Sequence, residues 1–293
     1  MDRKLDFVII GAQKAGTTSL HEYLRQHPLL FLPEEKDFVV FMDDQPANIP
    51  EADLWQFLRP ARPGQLLGLS YVDLLYFPEC PGRMHRYNPR LKLIAVLRDP
   101  VNRAYSNFRY NVAYGRETAR SFEEALEREE ERRGGSWRDK ASRTYLSHGH
   151  YAEQLSRFLR FFPREQLHVV LSEELGGNPG EAVRSVFRFL DVDESIPLDF
   201  RVRKNAAAIP LWAPLQRFMW SPPPLLWKTY QSLPLSFKRF VRYRIVAGLN
   251  RLNLSERRSP EMDPALRQRL STYFAGHNRR LAELIGRDLT GWT

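Results

Sequence analysis

The chain has 293 residues, 43% of them hydrophobic and 27% charged, proportions that suit a globular protein and exclude gross disorder. Its net charge of +9 asks for an anionic partner, whether a nucleotide, an acidic glycan, a membrane surface or a nucleic acid, and charge alone does not choose among them. The single cysteine, Cys80, excludes an intramolecular disulfide framework and a CxxC metal cluster and fits a reducing, cytoplasmic setting.

The N-terminus carries no apolar leader and runs straight into "LDFVII" (5–10), a β-branched apolar run that predicts a buried parallel strand. The strand opens onto "GAQKAGTT", and "TTSLHEYLRQH" then predicts a helix with Leu20 and Leu24 at helical spacing and Pro28 as its stop. Further strands are predicted at "QLLGLS", at "LKLIAVL" (91–97) and at "LHVVL" (167–171). "RDPVNRAYSNFRYNVAY" predicts a helix with Pro100 in its first turn, and "SFEEALEREEERR" one charged helix opened by a Ser121–Glu124 capping box. "HYAEQLSRFLRFF" places Tyr151, Leu155, Phe158 and Leu159 on one helical face, and "GEAVRSVFRFL" is the helix after the last strand. Such alternation predicts an α/β fold, a single domain over residues 1–293 with a central, mainly parallel sheet flanked by helices and ligands at the carboxyl ends of its strands. After about residue 200 the composition changes: from Arg201 to Asn250 there is no acidic residue, while tryptophan, proline, lysine and arginine recur. "PALRQRLSTYFAGHNRRLAELIG" predicts a final amphipathic helix, and no window reaches the roughly 18 uninterrupted apolar residues of a membrane span.

Gly11 and Gly16 keep the glycine spacing of a nucleotide-binding loop, and Thr17 and Thr18 open the helix behind it, so backbone N–H groups can cradle phosphate. The lysine has moved inside the loop, to Lys14, where it can donate to an oxygen that gains negative charge as a group departs. Such a lysine can replace a metal, and "LKLIAVLR" ends in Arg98, where an ATPase would place a magnesium-binding aspartate. A plain glycine turn is the alternative. Arg98 and Ser106, on the first turns of the next helix, suit a second, separate phosphate. A nucleotide phosphorylated at two ends matches both.

"GAQKAGTTSL" and "VLRDPVNRAYSNF" together resemble the two cofactor signatures of the sulfotransferases that use 3′-phosphoadenosine 5′-phosphosulfate (PAPS), in particular the branch of heparan sulfate sulfotransferases and their bacterial relatives. The resemblance runs from about Asp6 to Gly291, and "SPEMDPALRQRLSTYFAGHNRRLAELIGRDLTGW" is similar to that branch's C-terminal segment. It implies that Gly11, Ala12, Gln13, Lys14, Ala15, Gly16, Thr17 and Thr18 form the 5′-phosphosulfate loop, with Lys14 catalytic at the leaving phosphate. It also implies that Arg98 and Ser106 hold the 3′-phosphate, that Arg257 or Arg258 in "NLSERRSPEM" closes over the cofactor, and that no metal takes part. That loop lacks the family's glycine, and a solvated basic turn is the other reading of the pair.

The branch carries a catalytic glutamate after a lysine; in "PEEKDFVVFMDD" this position is Asp37, with Glu35 as the second candidate and a solvated acidic turn as the third reading. Aspartate is one methylene shorter, and Val39 stands where a histidine or glutamine is common, so the acceptor is left open between a carbohydrate, a lipid and a small natural-product hydroxyl. Among the histidines, His27 is expected to cap or pack at the end of the first helix, and His21 to lie at the surface. No HExxH or other paired metal spacing occurs. The basic stretch can wall an acceptor site with Trp212, Trp220, Trp227 and Tyr230, rest against an anionic membrane surface, or simply cover the sheet. A P-loop kinase or NTPase is the rival enzyme. Nucleic-acid binding is the rival of a different class, and no recognition-helix or RNA-binding signature supports it.

Overall fold

The computed structural model describes residues 3–34, 36, 39–42, 54–201, 209–210, 212–220, 223, 226, 229–230, 232–233, 241–255 and 261–292. These fall into two compact units: residues 1–103, 146–204 and 268–293 form one, and residues 104–145 and 205–267 the other.

The first unit is an α/β layer structure. Strands β1 (Phe7–Gly11), β2 (Leu30–Phe31), β3 (Leu66–Ser70), β4 (Lys92–Leu97) and β5 (Leu167–Leu171) form one sheet in the order β2-β3-β1-β4-β5, and every pairing is parallel. Every residue of β1 is buried, as are Leu93–Leu97 of β4. Burial on both faces is why these strands read as unbroken apolar runs. Gly68 of β3 makes room for the Phe7 ring, which would stand 2.2 Å from a Cβ there. The two-residue β2, inside the apolar run at 29–32, is the one strand of this sheet that was not expected from the sequence.

The crossovers are α1 (Thr17–Leu24), α2 (Trp55–Leu58), α3 (Cys80–Tyr87) and the helix α4 (Pro100–Ala113) that leaves β4. The charged segment expected as one helix is two, α5 (Phe122–Glu127) and α6 (Glu129–Gly134), parted at Arg128. Ser121 Oγ does accept from Glu124 N at 3.1 Å, but Glu124 Oε2 turns to Arg120 N, so the box is only half closed. A reciprocal box forms instead at Ser136 and Asp139, ahead of α7 (Trp137–Arg143). Then come α8 (Tyr151–Leu159), α9 (Ser172–Gly177) and α10 (Pro179–Leu190). Of the face read from sequence, Tyr151, Leu155 and Phe158 are buried and Leu159 is half-buried.

The second unit buries an ion pair, Arg132 Nη2 to Glu117 Oε1 at 2.7 Å, with Tyr145 Oη donating to Glu117 Oε2 at 2.6 Å. It also contains α11 (Ala213–Trp220), α12 (Ala247–Asn253) and the short antiparallel pair β6 (Ile209–Pro210) and β7 (Leu254–Ser255). Much of the basic stretch, Trp227 included, lies outside the described residues; within it Trp212 is exposed. The last long helix, α13 (Pro264–Ile285), ends before Gly286, whose φ of +65 suits a helix stop. Among the described residues no helix is long and apolar enough to cross a membrane.

Candidate functional site

The site begins where β1 runs out. Gly11 has φ +151, and a Cβ there would lie 2.8 Å from Val72 O and 2.9 Å from Leu75 Cβ, so the chain turns where a side chain would meet backbone. Ala12 N still donates to Val96 O at 2.7 Å, carrying the β1–β4 ladder one step into the loop. Lys14 then takes a left-handed conformation, φ 62, which costs an L-residue about 1–2 kcal/mol and is kept only where the surroundings enforce it. Part of the enforcement comes from β4. Arg98, one residue past that strand, donates from Nη1 to Lys14 O at 3.0 Å, and Tyr151 Oη in turn donates to Arg98 O at 3.0 Å.

Gly16, φ 103, is the N-cap of α1 and offers no capping side chain; the first turn of α1 contains no acid. Its free N–H groups and the helix dipole therefore favour an anion at this end. Thr17 and Thr18 stand in that first turn, and Lys36 Nζ lies 3.0 Å from Thr18 Oγ1 and 3.5 Å from Thr17 Oγ1. On the β3 side, Gln13 Nε2 donates to the buried Asp73 Oδ1, and Leu75 N donates to Ile10 O at 2.9 Å. The carboxyl ends of β1, β3 and β4 thus meet at one loop.

Sequence reasoning overlooked Asp73 and Lys36. Asp73, three residues beyond β3, is an acid near a strand end of the kind found missing after β4, but it is engaged with Gln13. Asp99 has a plainer duty: its Oδ1 accepts from Asn102 N at 2.7 Å at the start of α4. Ser106 is half-buried, in the second turn of that helix. Asp37, Glu35, Arg257 and Arg258 lie outside the described residues.

His21 corrects the sequence reading. It is buried, 1% exposed, and its Nε2 donates to Pro33 O at 3.0 Å. Burial first, and the nearby Lys36 charge second, lower its pKa to about 3. His27 packs as expected, edge-on to Phe187 with ring centroids 4.7 Å apart, its Nδ1 accepting from Leu29 N. His168, half-buried within β5, is lowered to about 4 by that burial first and by the Arg164 charge second. Because both imidazoles are held neutral in the fold and titrate near 6.5 when unfolded, stability is complete above pH 6.5 and is lost as pH falls below it. At pH 5 each should cost about 2 kcal/mol, read as a drop in the urea midpoint between pH 7 and pH 5. His168→Gln should remove about half of that drop, and a midpoint independent of pH over this range would refute the account.

Among the described residues one group has metal-ligand chemistry: His150, Glu153 and His277 bring ligand atoms within 4.8 Å of one another. The two rings are stacked at 4.1 Å and 4°, and Arg280 Nη2 donates to His277 Nδ1 at 2.9 Å. Parallel rings cannot both aim a lone pair at one ion, so this arrangement is a stacked pair beside a carboxylate.

Comparison with known proteins accords with this geometry. The chain is 26% identical over 300 residues to the human bifunctional heparan sulfate N-deacetylase/N-sulfotransferase 2, a match that takes in 98% of this chain and 30% of that protein. It is 24% identical over 287 residues to the human heparan sulfate glucosamine 3-O-sulfotransferase 5, taking in 96% of this chain and 72% of that one. The solved structure of a sulfotransferase from Alicyclobacillus acidocaldarius superposes with a TM-score of 0.73 at 29% identity, over 99% of both chains. The family model described as "Sulfotransferase domain" matches residues 4–205, well over half of the sequence, and the chain belongs to the sulfotransferase family.

Proposed function

We propose that the chain transfers the sulfuryl group of PAPS directly to a hydroxyl or amine of a carbohydrate acceptor, with residues 1–293 acting as one sulfotransferase domain in the cytoplasm. The observation that carries the reading is the contact between the two strand tips: Arg98, the candidate for the 3′-phosphate, donates to the backbone of Lys14, the candidate for the leaving phosphate. One nucleotide phosphorylated at both ends would use them together. Gly11–Thr18 and the N-terminus of α1 would receive the 5′-phosphosulfate, Arg98 and Ser106 the 3′-phosphate, and Arg257 or Arg258 would close over it.

The chemistry balances without a covalent intermediate or a metal. The acceptor oxygen or nitrogen bonds to sulfur, the bond from sulfur to the bridging phosphate oxygen breaks, and its electron pair stays on that oxygen, where Lys14 meets the growing charge. Asp37, or Glu35, would take the acceptor's proton. Carbohydrate is the acceptor class favoured by the similar heparan sulfate enzymes, among which are both N- and O-sulfotransferases. A lipid or natural-product hydroxyl would undergo the same transfer.

Titration with adenosine 3′,5′-bisphosphate (PAP), without metal, against ATP with magnesium tests the assignment. Tight PAP binding that ignores magnesium is expected. Preference for Mg-ATP would indicate a kinase, and binding to neither, with steep salt dependence on DNA or RNA, a nucleic-acid protein.

A further inference from the structure

The basic stretch after residue 200 turns its apolar side chains outward. Of the ten large hydrophobic residues that are exposed among the described residues, five fall between 212 and 252: Trp212, Phe218, Leu226, Ile245 and Leu252. A surface helix ordinarily buries its apolar stripe. In α11 the described positions Pro214, Leu215, Phe218 and Met219 share one side, at i, i+1, i+4 and i+5, and all four are exposed or half-buried. α12 presents Leu249 and Leu252 in the same way, and Arg244 and Ile245 are exposed just ahead of it. The start of one helix is joined to the end of the other. β6 pairs with β7, Trp212 N donates to Oδ1 of the buried Asn253 at 2.8 Å, and Asn253 Nδ2 donates back to Trp212 O at 3.1 Å. That join fixes the backbone around the two most exposed of the ten, Trp212 at 59% and Leu252 at 78%.

We propose that this part of the second unit is a docking surface for an anionic lipid bilayer, which it enters to the depth of the headgroups without spanning. Charge selects the partner. Residues 205–255 contain seven lysines and arginines and no aspartate or glutamate. Lysine and arginine are drawn to anionic headgroups, tryptophan settles at the boundary between headgroup and acyl chain, and leucine and isoleucine reach the first methylenes. An acidic glycan would satisfy the charge but has no apolar surface with which to cover Leu226, Ile245 and Leu252. A second copy of this chain could cover them but brings its own net charge of +9, which repels. The proposal stands on the second unit alone and does not need the sulfotransferase reading.

Co-sedimentation of the full chain with vesicles is the test. Binding to vesicles of equal parts phosphatidylglycerol and phosphatidylcholine should be about a hundredfold stronger than to phosphatidylcholine alone, the effect of about three cations at the surface at about fivefold each. Trp212→Gln combined with Leu252→Gln should lower binding to the mixed vesicles about thirtyfold while the melting temperature stays nearly unchanged, because both side chains already stand mostly in water. Lys228→Gln combined with Arg244→Gln should lower it about twentyfold, a difference that fades in about 0.5 M salt. A wild-type chain that stays in the supernatant with the mixed vesicles overturns the proposal. So does an apolar double variant that binds as the wild type does, which would reduce the attraction to surface charge. Binding of a heparosan oligosaccharide that this double variant abolishes, with no binding to vesicles, would make the face an acceptor wall instead, and a wild-type dimer that it dissociates would give the face to a second copy. PAP binding is a separate measurement: its failure removes the sulfotransferase assignment and leaves this proposal standing.

Discussion

Lys14→Ala should lower the turnover number for sulfuryl transfer about a thousandfold, with PAP affinity reduced far less and the melting temperature nearly unchanged. The size follows from removing a preorganised donor at the atom where charge develops, an effect of about 3–4 kcal/mol on the barrier. Two structural facts make the result readable. The left-handed backbone at φ 62 strains lysine and alanine alike, so the substitution neither relieves nor adds strain. The contact from Arg98 goes to the Lys14 carbonyl, which alanine retains, so the loop keeps its support from β4. What disappears is the ammonium. Single-turnover conversion of labelled PAPS at saturating acceptor is the measurement; wild-type turnover in the variant would remove Lys14 from the mechanism. Lys14→Gly, which loses the same charge but relieves the left-handed strain, should be as slow as Lys14→Ala without a loss of stability.

The legible parts of the fold are those decided by short-range pattern. β1 and most of β4 are buried on both faces, so each is a continuous apolar run bounded by loop residues, β5 departs from that only at His168, and the glycine spacing at Gly11 and Gly16 marks positive-φ corners that the structure contains. The misread parts are those decided by partners distant in sequence. His21 has the spacing of the buried face of α1, with Thr17, Leu20 and Leu24; its polar ring was read as a surface group, and what makes its burial tolerable is a carbonyl 12 residues away, at Pro33, that accepts its Nε2 proton. Asp73 and Lys36 have no local signature, since their meaning comes from Gln13 and from Thr17 and Thr18 across the fold. The Ser121 box was half right because Glu124 had a nearer donor in Arg120 N than the geometry of a reciprocal box assumes. Asp37, Arg257 and Arg258 rest on resemblance to the heparan branch, whereas Lys14 and Arg98 rest on resemblance and on position at the strand tips.

Arg98→Ala should weaken PAP binding about 300-fold, far more than it weakens acceptor binding. A guanidinium fork on a phosphate makes two charge-assisted hydrogen bonds, together about 3.5 kcal/mol, and each 1.4 kcal/mol is a tenfold change in affinity. The bond to Lys14 O complicates a simple truncation, because the same side chain also steadies the loop. Comparing PAP with 5′-AMP separates the two duties, since AMP has the 5′-phosphate and lacks the 3′ one. If Arg98 grips the 3′-phosphate, the preference of the wild type for PAP over AMP should nearly vanish in the variant, with AMP affinity falling only a few-fold. If it serves the loop alone, PAP and AMP should weaken equally and the 3′-phosphate assignment fails. Arg98→Lys sharpens the comparison: it keeps the charge but loses the planar fork, so it should recover part of the PAP preference without restoring the contact to Lys14 O. A kcat at saturating PAPS that is lower in Arg98→Lys than in wild type would then measure what the clamp on a strained Lys14 is worth to the transfer itself.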